Sequence, residues 1–260
     1  MICSEIMALL EEISPKQYAL EWDNVGLLVG RRDRDIKRLV VALDATDEVI
    51  DYAIEIKADM IVTHHPMIFG KIRKVNDEDF IGKRILRLME NGINCYAMHT
   101  NFDVKGGMAQ LAAKYLHMTD EKILEVTYER DGITEGIGRY ADYEELSVRD
   151  WAERVKKVFG LSNVTVYGDA NRRVTRVAIS PGSGKSMIEE AGKKGVELLI
   201  TGDIGHHEGI DATACGISII DATHYGLEKI FIPYIADYLK EKAKETDVVI
   251  KETGVPQIIL

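Results

Sequence analysis

Apolar residues arrive in two rhythms along this chain. Short runs rich in Val, Ile and Leu predict strands at Leu39–Leu43, Met60–Thr63, Ile93–Met98, Val174–Ser180, Leu198–Thr201 and Ile217–Asp221. Between them the apolar spacing lengthens to three and four, which predicts helices opening near Asp47, Ile81, Ser186 and Leu227. A shorter strand–helix–strand stretch fills the middle: Gly138–Tyr140, Val148–Phe159 and Val164–Tyr167, with Ser147 and Asp150 spaced as a capping box for its helix. Alternation of this kind specifies an α/β fold in which sheets are flanked by helices.

The pattern also repeats. Residues 38–63 set against 176–201 align without a gap: Leu39-Val40-Val41 falls on Val177-Ala178-Ile179, and Met60-Ile61-Val62 on Leu198-Leu199-Ile200. Gly92-Ile93 then matches Gly216-Ile217, and one residue of slippage brings His99 onto His224 and Asp103 onto Glu228. Two similar α/β halves from an internal duplication are expected, residues 1–126 and 127–260, the C-terminal part of the second packing back on the first.

Chemistry gathers where the strands end. Met60–Thr63 runs directly into His64 and His65; Ile93–Met98 into His99, with Asp103 four on; Ile217–Asp221 is followed by His224, with Glu228 four on. In open α/β sheets ligands collect at the carboxyl ends of strands, so distant positions can meet there. Imidazole with carboxylate suits Zn, Fe, Mn or Co and needs no thiolate. Adjacent His64 and His65 point in different directions on extended backbone, so they can serve two metals. Two ions a few ångströms apart can activate a water and clamp attacking and leaving oxygens. The expectation is therefore a dinuclear metal centre of His64, His65, Asp103, His224 and Glu228 in the cleft between the halves. His99 either touches metal or orients Asp103 or substrate. Because Asp103 precedes Gly106-Gly107, the stretch from His99 to Asp103 reads as a loop.

Three further segments stand out. SPGSGKS, 180–186, lacks the first glycine of a phosphate-binding loop, since Ile179 stands there; it reads as a tight turn or a simple anion cradle. TGDIGHHE, 201–208, puts Gly202 and Asp203 where the first half has His64 and His65, followed by His206 and His207 on a predicted loop, as catalytic proton carriers or as surface residues. EWDNVGL, 21–27, reads as a buried Trp22 beside an Asx turn, or as a loop lining the metal cleft. Pro233 kinks the helix after Glu228 or opens a second one.

Composition narrows the classes. The net charge of −10 argues against a nucleic-acid binder, which needs clustered Lys and Arg. The three cysteines, Cys3, Cys95 and Cys215, are far apart without metal or disulfide spacing; Cys95 and Cys215 read as buried small side chains. Glu5, Glu11 and Glu12 replace the basic start of a secretory signal, and no run approaches the ~18 apolar residues of a membrane span. The expected location is cytoplasmic.

Taken together, EWDNVGL, THHP (63–66), HTNFD (99–103), TGDIGHHE and DATHYGLE (221–228) resemble the NIF-three-like family, whose members are often labelled GTP cyclohydrolase 1 type 2 homologues and include YbgI-like proteins. The resemblance implies a two-domain α/β fold and a dinuclear site whose ligand pattern matches His64, His65, Asp103, His224 and Glu228 and leaves His99 out. It also implies a homohexameric ring and, by the label, opening of the GTP purine ring. The expected function is a metal-dependent hydrolase acting on a small, anionic, phosphorylated or nucleotide-like substrate. The alternative is a non-catalytic metal-binding or regulatory protein that works through protein partners.

Overall fold

The computed structural model describes residues 1–254. The chain divides into two compact units: Met1–Gly106 together with the chain from Phe231 onward, and Gly107–Ile230.

The first unit opens with α1 (Cys3–Ile13), β1 (Gly26–Val29), β2 (Arg38–Ala42), α2 (Asp47–Glu55), β3 (Met60–Thr63), α3 (Phe80–Glu90), β4 (Asn94–Ala97) and α4 (Thr100–Val104). Caps set two of these helix starts: Thr46 accepts from Val49 N, and Asp79 accepts from the amides of Ile81 and Gly82.

The second unit carries α5 (Met108–Tyr115), β5 (Lys122–Arg130), β6 (Ile133–Ser147), α6 (Val148–Phe159), β7 (Thr165–Tyr167), β8 (Arg173–Ser183), α7 (Met187–Lys193), β9 (Leu198–Gly202), α8 (His206–Ala214), β10 (Ser218–Asp221) and α9 (His224–Glu228). The chain then rejoins the first unit through α10 (Phe231–Lys242) and β11 (Asp247–Ile250). The sheets run β1-β4-β3-β2-β11 and β5-β6-β8-β9-β10-β7.

The predicted α/β architecture of two helix-flanked sheets is present, and the repeat extends to hydrogen-bond detail. Leu39 faces Met60 across β2–β3 and Val177 faces Leu198 across β8–β9, the same pairing at matched positions. The repeated strands β2-β3-β4 and β8-β9-β10 run parallel, each set with an antiparallel edge strand beside its third member, β1 on β4 and β7 on β10; β11 adds a fourth parallel strand beside β2. Asp59 accepts from the amides of Lys37 and Arg38; at the matched place Glu197 accepts from those of Thr175 and Arg176.

One part of the sequence alignment fails. The amide of Asp103 bonds the carbonyl of His99, and that of Leu227 bonds the carbonyl of Thr223. His99 and Thr223 are therefore the equivalent helix caps, without slippage, and Glu228 sits one position beyond the counterpart of Asp103. The two His-xxx-acid units are alike in sequence but occupy different backbone positions.

Other expectations also shift. The unit boundary falls at Gly107, because α5 packs on β6 and β8, whereas the sequence division lay at 126. Gly138–Tyr140 belongs to a long β5–β6 hairpin turned by Asp131-Gly132, both at positive φ (53° and 75°), as an Asp-Gly turn requires. The stretch after His99 is a helical turn, α4, capped from outside by Asp23 rather than by its own sequence. His206 and His207 start a helix, not a loop. The 180–183 segment extends β8, and α7 opens at Met187 after it. Pro233 lies in the first turn of α10, where the missing N–H costs nothing. Cys95 is buried as expected; Cys215 is exposed because it caps the end of α8. No helix among the described residues is long and apolar enough to cross a membrane.

Candidate metal centre

In the first unit β3 and β4 run parallel and deliver their exits side by side. His64, His65 and His99 come together there, each offering a ring nitrogen within 4.8 Å of the others. His64 is wholly buried, its ring 5.3 Å from that of Phe231. Its Nε2 lies 3.6 Å from Oδ1 of Asp103, carried in by α4. Three of the predicted ligands, and His99 besides, thus share one sheet end.

In the second unit β10 leads into α9, where His224 Nε2 lies 2.9 Å from Oε2 of buried Glu228. Two residues here sit in the left-handed region. Thr223 (φ 62°) is β-branched and strained, and holds the helix start by accepting from Gly226 N; Asp203 (φ 57°) leaves β9 toward His224. Glycines make room: a Cβ on Gly202 would meet His224 N at 2.4 Å, and one on Gly182 (φ 84°) would meet Glu228 Oε1 at 2.6 Å. SPGSGKS is thus the floor beneath a carboxylate.

One feature is common to all four histidines: Nδ1 is already engaged. His64 donates to the Met98 carbonyl at 2.7 Å, and His65, His99 and His224 to the carboxylates of Asp44, Asp23 and Asp203 at 2.8, 2.9 and 2.7 Å. Bonding of this kind fixes the tautomer and presents the Nε2 lone pair, as a metal-ligating histidine needs. For His224 the consequence is sharp. A neutral ring that donates from Nδ1 faces Glu228 with two acceptors 2.9 Å apart, an arrangement that calls for a shared cation, either a ring proton or a metal. The residues present therefore fit divalent metal.

Burial works to raise the pKa of Asp23, but hydrogen bonds from His99 and Thr100 outweigh it and hold the carboxyl at about 2. Trp22 is not buried; with Phe69 it flanks His99, the ring centroids 5.9 and 5.7 Å away.

His206 and His207 are exposed on the first turn of α8, ring centroids 5.3 Å apart, and join no metal-competent group of three among the described residues. The neighbouring Glu208 pairs with Lys185 at 2.5 Å.

Sequence reasoning missed Asp44, Asp23 and Asp203 as partners of the site histidines. Asp44 was within reach, since it lies two residues beyond β2, just as His65 lies two residues beyond β3. Asp23 had only its motif, and its partner lies 76 positions away.

Sheet order, strand-exit histidines and Nδ1-locked rings define an α/β protein whose side chains are able to hold a metal ion. The chain belongs to the DUF34/NIF3 (NGG1p interacting factor 3) family, which it matches over residues 1–255. It is 36% identical to the GTP cyclohydrolase 1 type 2 homolog of Clostridium acetobutylicum over 227 residues, 86% of this chain and 84% of that protein. Among solved structures it is similar to a Bacillus cereus protein related to NIF3, with a TM-score of 0.90 and 25% identity over 100% of this chain and 99% of that one. It is also similar to reduced HcgD from Methanocaldococcus jannaschii, with a TM-score of 0.82 and 31% identity over 96% and 97% of the two chains.

Proposed function

We propose that His64, His65 and Asp103 of the first unit and His224 and Glu228 of the second hold two divalent metal ions, and that the protein is a metal-dependent hydrolase of a small anionic substrate. The observation that carries this is the engagement of Nδ1 on His64, His65 and His224, the three histidines among the proposed ligands. Structural surface histidines have no need of so uniform an arrangement.

Bound divalent metal supplies Lewis acidity, lowering the pKa of a water and offsetting negative charge on substrate. The chain's own residues do the rest. Asp44, Asp203 and the Met98 carbonyl hold three imidazoles in one tautomer. Asp23 does the same for His99, whose Nε2 can take up and return a proton beside the ligands. His206 and His207, exposed on the first turn of α8, are further candidates for this role. Family likeness extends the proposal to a homohexamer and to GTP as the first substrate to try.

The test is turnover of GTP and of a panel of nucleotides and phosphoesters by metal-loaded protein. Chelation should abolish it, and so should Glu228→Gln with folding retained. Activity that survives both removes the proposal.

A further inference from the structure

Between β3 and α3 the chain runs from Pro66 to Asp79 without helix or strand. This segment walls a cavity of about 720 Å³ that opens beside His65 and extends to Phe80 and Arg84. Its chemistry departs from that of the chain. The protein carries a net charge of −10, yet Lys71, Arg73 and Lys74 line this cavity, with no acidic residue between 66 and 76; Arg73 and Lys74 also line a second cavity of about 540 Å³.

The other charges on the walls are occupied. Asp44 holds His65, Asp79 caps α3, and Arg84 clasps Asp47 through two bonds of 3.1 Å. Lys71, Arg73 and Lys74 form no ion pair among the described residues. Clustered cations with no protein counter-charge raise the local concentration of anions. Phe69, more than half exposed, stands in the same wall, 5.8 Å from the ring of exposed Trp22. Exposed aromatic faces beside cations suit a planar base carrying phosphate.

We propose that this cavity binds a nucleoside phosphate, with the phosphate on Lys71, Arg73 and Lys74 and the base against Phe69, so that the ligand's inner end lies at His65. The proposal rests on the metal-dependent reading for what happens at that end, but binding itself does not require it.

Trp22 supplies the readout. It is exposed beside Phe69, whereas the other tryptophan, Trp151, is wholly buried. GMP, guanosine and inorganic phosphate are titrated by Trp22 fluorescence and by calorimetry, with metal content measured on the same samples. GMP should bind more tightly than guanosine or phosphate. Lys71→Ala/Arg73→Ala/Lys74→Ala should weaken GMP at least tenfold without changing metal content. Phe69→Leu should weaken GMP and guanosine but leave phosphate unchanged. Trp22→Phe should abolish the fluorescence change while calorimetric binding persists. Unchanged GMP affinity in the triple variant overturns the proposal, as does phosphate binding as tightly as GMP. Absence of metal from wild-type protein defeats the hydrolase reading alone, because the GMP arm is scored separately.

Discussion

Nδ1 of His99 donates to one oxygen of Asp23 at 2.9 Å, while the other oxygen accepts from N and Oγ1 of Thr100 at 2.9 and 2.6 Å. A single buried carboxylate therefore orients a histidine of the candidate site and caps the helix that carries Asp103. The pKa near 2 makes this a stability statement as well. The folded-state value is depressed, so the contribution is complete above the ordinary aspartate range and is lost as pH falls toward 2. Asp23→Asn should cost about 2 kcal/mol at neutral pH. Urea denaturation at pH 7 and pH 3 measures it, and the difference between wild type and variant should shrink at the lower pH.

Gly182 separates backbone strain from crowding at the site. Alanine there needs φ 84° and places a methyl 2.6 Å from Glu228 Oε1. Gly216→Ala is the control, with φ 77° but nothing within 4 Å. Both should lose roughly 1–3 kcal/mol to strain. Only Gly182→Ala should also weaken metal binding, by about 10–100-fold. Equal metal affinity in the two variants would argue against a role for the SPGSGKS floor.

The repeat makes a paired prediction. Asp59 and Glu197 each gather two successive strand amides, and each has an arginine nearby, Arg34 at 3.7 Å and Arg172 at 3.8 Å. Asp59→Ala and Glu197→Ala should each cost about 1.5–3 kcal/mol, as charged hydrogen bonds do. Chemical denaturation of the two variants measures the pair, and a neutral effect at either position breaks the equivalence.

The thiols should differ in reactivity. Burial pushes Cys95 up to about 12 and raises Cys3, while Cys215 is exposed. A disulfide reagent should label one thiol rapidly in native protein and three after denaturation. Mass mapping should find the fast one at Cys215.

Much of this was legible in the sequence, for reasons that also mark where it stopped. The parallel core strands declared themselves because both faces are covered, giving unbroken apolar runs such as Met60–Thr63. The five predicted ligands stood at strand exits or four residues beyond, a position that topology alone makes special. What escaped depends on contacts between distant residues. The start of α4 is capped by a carboxylate 77 positions away, and its five residues are too few to show a helical period. The β5–β6 hairpin carried a readable Asp-Gly signal at 131–132 that the apolar runs overshadowed. The slipped pairing of His99 with His224 followed residue identity, whereas the backbone repeats by hydrogen-bond position and pairs His99 with Thr223.

Metal content bears most directly on the central claim. Protein purified without chelator, loaded with divalent metal and dialysed, is analysed by mass spectrometry for metal per chain, alongside His64→Ala and Glu228→Gln. The account predicts about two divalent ions per wild-type chain and fewer in each variant, with circular dichroism unchanged. Wild-type protein that retains no metal, or variants that retain as much as wild type, would contradict it.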